Sequence, residues 1–196
     1  MKAGKILLFC LLCLSAQGQK QHGFGIRAGW NYATLTRTTL DYSHRAYAGI
    51  YGELQLGKIF FLQPEFTYSS HGASGYLSHK QESDLGITDP QIAFLGFGII
   101  GKVALPSQFR LLVGQYFDQA LTLKKPFRNS LDPGITFGME YKSPIGLGID
   151  LRMKRGFSDQ LDSHLYGTFI SNPGIFQVDR NSNLALQLGL NYTFKL

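Results

Sequence analysis

The chain has 196 residues, 23 of them glycine, with 13% aromatic residues, 16% charged residues and a formal net charge of +6. Charged residues fall well below the roughly 25% of an ordinary globular chain, and no lysine and arginine run or basic helix points to nucleic acid, so the mild basicity fits anionic lipid headgroups instead. Both cysteines, Cys10 and Cys13, lie near the N-terminus, which removes disulfide, thiol-nucleophile and thiolate-ligand chemistry from everything after them.

The chain opens on Met1, Lys2 and Lys5, runs through an apolar block from Ile6 to Leu14, and reaches Ser15-Ala16-Gln17-Gly18-Gln19. A basic start, a short apolar middle and small residues before a cut describe a secretory signal peptide, 1–18, cleaved after Gly18. The apolar block is about half the ~20 residues of a transmembrane helix, which argues against a retained anchor. Leu12 precedes Cys13 and Phe9 precedes Cys10, so neither cysteine has the small preceding residue that lipidation requires. Residues 19–196 are expected to form one domain. If that domain enters a membrane it must do so as a closed sheet, because only helices and closed barrels satisfy every backbone hydrogen bond in hydrocarbon.

Period-two alternation carries the fold. In order, Phe24, Ile26, Ala28, Trp30 and Tyr32 alternate with Gly25, Arg27, Gly29 and Asn31; Ala46, Ala48, Ile50, Leu54 and Leu56 with Tyr47, Tyr51, Glu53 and Gln55; and Phe60, Leu62, Phe66 and Tyr68 with Gln63, Glu65, Thr67 and Ser69. The fourth segment, Gln91 to Leu105, reads as a strand whose faces are blurred by Gly96, Gly98 and Gly101. Leu111, Val113 and Phe117 then oppose Arg110, Tyr116 and Asp118; Ile135, Phe137, Met139 and Tyr141 oppose Thr136, Gly138 and Glu140; and Leu147, Ile149, Leu151 and Met153 oppose Asp150, Arg152 and Lys154. The last strand places Leu184, Leu186, Leu188, Leu190, Tyr192, Phe194 and Leu196 on one face. Such a stripe is an aggregation hazard in water and a requirement in lipid. Pro64 withholds a ladder donor, which predicts a bulge or bend there.

Connections sort by parity. Short ones at Gly57-Lys58, Pro106-Ser107-Gln108 and Lys142-Ser143-Pro144 alternate with long ones at Leu35 to Ser43, Ser70 to Asp89, Leu121 to Leu131 and Gly156 to Arg180. This pattern predicts an all-β, eight-stranded antiparallel up-and-down transmembrane barrel of the bacterial outer membrane, with both mature termini in the periplasm.

Gln187, Gly189, Tyr192 and Phe194 in the final strand are a polar residue, a glycine two on, and aromatics five and seven on. They look like the β-signal read by the outer-membrane assembly machinery, although Lys195 and Leu196 extend past the last aromatic. Terminal aromatics also suit an interfacial girdle.

Gly25-Ile26-Arg27-Ala28-Gly29, the stretch from Phe61 to Ser69, Val113-Gly114-Gln115-Tyr116-Phe117 and the stretch from Gly146 to Arg152 together resemble the PorT-like outer-membrane β-barrel domain family of Bacteroidetes. Gln63-Pro64-Glu65 is the most specific piece, and the resemblance covers nearly the whole mature chain. It implies an eight-stranded outer-membrane barrel and no particular activity, since the secretion role attached to the name belongs to a minority of the family.

The inward set gathers Arg27, Arg45, Glu53, Glu65, Lys102, Arg110, Asp118, Glu140, Asp150, Arg152 and Lys154. An eight-stranded barrel is just wide enough for its side chains to fill, so these residues read as ion pairs plugging the lumen. Intramembrane charge also admits a proton or ion path, or Glu53 and Glu65 as paired acid and base. The five histidines, His22, His44, His71, His79 and His164, fall in or beside loops or at the mature N-terminus, and four of them follow serine: Ser43, Ser70, Ser78 and Ser163. Ser70, His71 and Glu82 supply the residue types of a hydrolase triad, without a spacing that enforces proximity. No metal-ligand spacing, phosphate loop or cofactor motif occurs. The leading reading is a non-enzymatic barrel in contact with outer-membrane lipid, structural or acting through its loops on an envelope or secretion partner. A lipid-modifying hydrolase or acyltransferase, and a narrow pore, are the alternatives.

Overall fold

The computed structural model describes residues 22–36, 41–77, 87–121, 127, 129–160 and 182–195. The expected signal peptide, Ser78, His79, Glu82, Ser163, His164 and Leu196 lie outside the described residues. Among the described residues ten strands follow in order: β1 (His22–Leu35), β2 (Asp41–Gln55), β3 (Phe60–Ser74), β4 (Tyr76–Leu77), β5 (Ile87–Thr88), β6 (Gln91–Ala104), β7 (Phe109–Ala120), β8 (Leu131–Lys142), β9 (Leu147–Gly156) and β10 (Asn183–Lys195). Eight of them close into one antiparallel barrel ordered β1-β10-β9-β8-β7-β6-β3-β2, and β4 pairs with β5 in a separate two-stranded hairpin. Each barrel strand pairs with its neighbours along the barrel path of the chain, and β1 against β10 seals the ring from Gly23↔Lys195 to Leu35↔Asn183. The expected eight-stranded up-and-down barrel is the fold observed.

Alternation decides which side chains meet the outside. On β10, Leu186, Leu188, Leu190, Tyr192 and Phe194 are exposed, while Ala185, Gln187, Asn191 and Thr193 between them are buried. Trp30 on β1 and Val113 on β7 are 65% and 63% exposed on the same outer wall. An outer wall made of such residues is what hydrocarbon requires.

β6 explains its own ambiguity in the sequence. It is apolar on both faces: Leu95 and Ile99 point out, while Ile92, Phe94 and Ile100 are buried inside. Its inward glycines make room for acids from neighbouring strands, since a Cβ on Gly96 would overlap Asp118 Oδ1.

The strands run further than the alternation suggested towards the long-connection end. β3 continues through Ser70, His71 and Ala73 to Ser74, and β1 reaches Leu35. The assignment of Ser70 to Ser74 to a loop is therefore corrected. Polar residues and glycine disguise this part of β3, because its inward positions face the barrel mouth rather than a deep core. The placement of His71 changes with it: expected in a loop, it lies within β3.

Of the bulge or bend expected at Pro64, no bulge forms. The β2–β3 pairing lapses between Tyr51↔Glu65 and Leu54↔Leu62 and resumes in the same register, so the missing donor interrupts the ladder without adding a residue. The register shift in this pair of strands lies instead between Tyr42 and Tyr47.

Candidate functional site

The barrel interior is organised in tiers between the end carrying His22 and Lys195, here the terminal end, and the opposite loop end. In the middle tier, Arg27 lies 3.1 Å from Glu65 and 2.9 Å from Asp150, and donates to Tyr47 Oη at 3.0 Å. Arg152 lies 3.0 Å from Glu65 and 2.9 Å from Asp150. Gln63 Nε2 donates to Glu65 and Asn191 Nδ2 to Asp150, so each acid is held by both charged and neutral donors. Two guanidiniums facing two carboxylates in a buried space balance their charges locally.

Below it, at the terminal end, Lys102 Nζ lies 3.0 Å from Glu53 and 2.8 Å from Glu140, and Arg110 Nη1 lies 2.8 Å from Glu53 and 3.7 Å from Glu140. Arg110 also stacks over the Phe61 ring at 4.4 Å. Lys142, at the end of β8, donates to Tyr51 Oη at 3.2 Å, to Asn191 Oδ1 at 3.0 Å and to Thr193 Oγ1. A cavity of about 440 Å³ opens here, with His22, Glu53, Phe61, Arg110, Lys142 and Thr193 among its walls.

Towards the loop end, Lys154 Nζ pairs with Asp118 at 2.8 Å and sits 3.9 Å over the Tyr116 ring. Asp132 accepts from Asn183 Nδ2 at 2.8 Å and from the Ser158 backbone N–H at 3.2 Å. Above these groups the interior turns apolar: Leu35, Ala73, Ile92, Phe94, Ala120 and Phe127 form one buried cluster across the mouth. Phe127 is contributed from the β7–β8 connection.

Ten of the eleven charges expected to line the lumen are brought into these ion pairs. Arg45 is the exception. It points inward and is partly buried, but among the described residues it makes no ion pair, and its partner on β1 is the neutral Asn31. Lys142, expected in the short connection Lys142-Ser143-Pro144, and Asp132, just past the expected connection ending at Leu131, are instead interior charges of β8. Counting by twos from Glu140 and from Thr136 reaches them.

The Ser70–His71 pairing fails on geometry. The two are consecutive on β3 and face opposite sides of the wall, and His71 is buried inside with its Nε2 3.0 Å from Ser69 Oγ. Ser43 and His44 are split in the same way, the serine buried and the histidine exposed beside Tyr32. No group of three or more His, Cys, Asp or Glu able to hold a metal occurs among the described residues. Gln187 and Gly189 face inward, Gln187 donating to Asn31 Oδ1 at 2.8 Å, while Tyr192 and Phe194 stand on the outer wall with rings 4.8 Å apart.

No family model matches the chain, and no curated protein does. Solved structures do. Neisserial surface protein A is similar at 12% identity, over 88% of this chain and 97% of that one, with a TM-score of 0.52. Ail, the attachment invasion locus protein of Yersinia pestis, solved with the heparin analogue sucrose octasulfate, is 12% identical over 89% of this chain and 99% of its own, with a TM-score of 0.49. A barrel from the de novo design of transmembrane β-barrels is 11% identical over 88% and 95%, with a TM-score of 0.46. The likeness to the Neisserial protein is one of fold.

Proposed function

We propose that this is an integral outer-membrane barrel, non-enzymatic, serving as a structural or interaction component that meets an envelope or secretion partner through its loop-end connections or terminal-end turns. The observation that carries the reading is the sorting of the wall: apolar side chains stand outside, and inside a lumen is filled by ion pairs and capped by the cluster around Phe94. Such an interior suits a plug and a rigid support for loops better than a conduit. The fold likeness supports the location. The resemblance to the PorT-like family supports an origin in Bacteroidetes and adds no activity. Termini in the periplasm, and recognition of Gln187, Gly189, Tyr192 and Phe194 by the assembly machinery, belong to the same proposal and follow from the short-turn end of the barrel and the outward aromatics of β10.

Two measurements test it. The protein is expected to fractionate with outer membranes, to migrate in detergent gels as a heat-modifiable band and to give no stable conductance in planar bilayers; a soluble periplasmic protein or a steady channel current overturns it. Deleting 78–86 or 161–181 is expected to leave the heat-modifiable barrel and abolish the envelope phenotype of a gene knockout. A phenotype unchanged by either deletion counts against a role for the loops.

A further inference from the structure

The charges of the middle tier balance, with Arg27 and Arg152 facing Glu65 and Asp150. Nearer the loop end Lys154 faces Asp118. The terminal-end tier does not balance. Lys102 and Arg110 share Glu53 and Glu140, which leaves Lys142, among the described residues, as a third cation with no acid of its own. Lys142 is 8% exposed, and it donates to the neutral oxygens of Tyr51, Asn191 and Thr193. A buried ammonium is ordinarily paired, because desolvating it without a counter-charge is costly.

This unbalanced cation lies where the barrel is hollow. Lys142, Arg110 and His22 all border the 440 Å³ cavity. Arg110 engages the acids through Nη1, and its Cζ lies over the Phe61 ring. His22 brings an unsatisfied group, a buried Nδ1 without a hydrogen-bond partner among the described residues. Phe61, Leu105 and Phe109 supply apolar wall beside these donors. A concave site with a few convergent polar groups on an apolar lining is the usual form of a small-molecule pocket.

We infer that the terminal-end cavity is a binding site for a phosphate group, held between Lys142 and Arg110, with any short apolar body of the ligand against Phe61 and Phe109. A phosphate oxygen there gives Lys142 the counter-charge it lacks among the described residues by taking the place of one of its three neutral acceptors, and Arg110 adds the guanidinium donors that Nη1 does not use. The group could be carried on a phospholipid or be free in solution, and the two sources separate by experiment.

The test uses the full barrel refolded in zwitterionic micelles, titrated with inorganic phosphate, with short-chain phosphatidic acid and, as a control, with short-chain phosphatidylcholine. Chemical shifts of the Gly146 and Thr193 amides are the readout. Saturable shifts with phosphate and phosphatidic acid support a site for the oxyanion itself; shifts with phosphatidic acid alone support a headgroup site. Lys142→Gln is expected to weaken binding about tenfold or more, the scale of one lost charge-assisted hydrogen bond. Ala104→Glu places a carboxylate on the cavity wall while removing none of the interior pairs and is expected to abolish binding, which keeps the test open if Lys142→Gln fails to fold. Lys58→Gln, in an exposed turn at the same end, is expected to change nothing. Absence of saturable shifts with both phosphate probes, or wild-type affinity in Ala104→Glu, overturns the inference, and neither result bears on the loops.

Discussion

Glu65 receives Arg27, Arg152 and Gln63 at once, which makes it the acid on which the middle tier depends. Glu65→Gln keeps the shape and removes the charge, leaving two buried guanidiniums to share Asp150. The expected cost is about 3–5 kcal/mol, the range for breaking a buried pair from one side, and urea unfolding of the barrel in lipid measures it. A loss under about 1 kcal/mol would show that water, rather than Asp150, takes up the charge. A second residue-scale device is the tyrosine laid over glycine. Tyr51 covers Gly25, Tyr116 covers Gly134, and Tyr47 reaches Gly189, where an added Cβ would overlap the hydroxyl. Gly189→Ala is expected to destabilise by about 1–3 kcal/mol through overpacking. Adding Tyr47→Phe removes the overlapping oxygen, so the double variant should lose less than the sum of the two single losses, by about 0.5 kcal/mol or more. Simple additivity would mean that the backbone moves instead.

At the scale of the strand, most of the fold was legible because lipid outside and a mixed interior write themselves as period two. β10 shows this best, with every outward position from Leu186 to Phe194 apolar. Legibility failed where either face departed from type. β6 carries Ile92, Phe94 and Ile100 inward, so its inner face mimics its outer one. The outer part of β3, Ser70 to Ser74, lies level with the mouth, where polar residues are tolerated on both sides. The interior ion pairs were legible as a set of charges by parity, but their partners were not: pairing depends on which strands face across the lumen, as Arg152 on β9 meets Glu65 on β3 across a sequence separation of 87. Depth along a strand also gives a prediction. Leu188→Arg, on the outer wall of β10 midway along the strand, is expected to cost about 2–4 kcal/mol, whereas Phe194→Arg near the rim is expected to cost about 0–1 kcal/mol from the charge itself. Equal costs, read from unfolding in bilayers, would contradict a hydrocarbon belt centred on Leu188.

For the whole molecule, the interior is graded: charged at the terminal end and in the middle, apolar at the loop end where Leu35, Ala73, Ile92, Phe94, Ala120 and Phe127 meet. No single strand announced this cap, since its members come from β1, β3, β6, β7 and a connection. The seam between β1 and β10 acts at the same scale. It joins Gly23 to Lys195 and continues to Leu35 and Asn183, so the first barrel strand waits for the last one. Until β10 arrives, β1 and β9 each present an open edge, and the loop to be closed is nearly the full length of the barrel. The ring is therefore a timing device: no part of it can finish early, and a chain truncated before β10 should yield no heat-modifiable species at all, only material that aggregates or is degraded while its first strand is still unpaired.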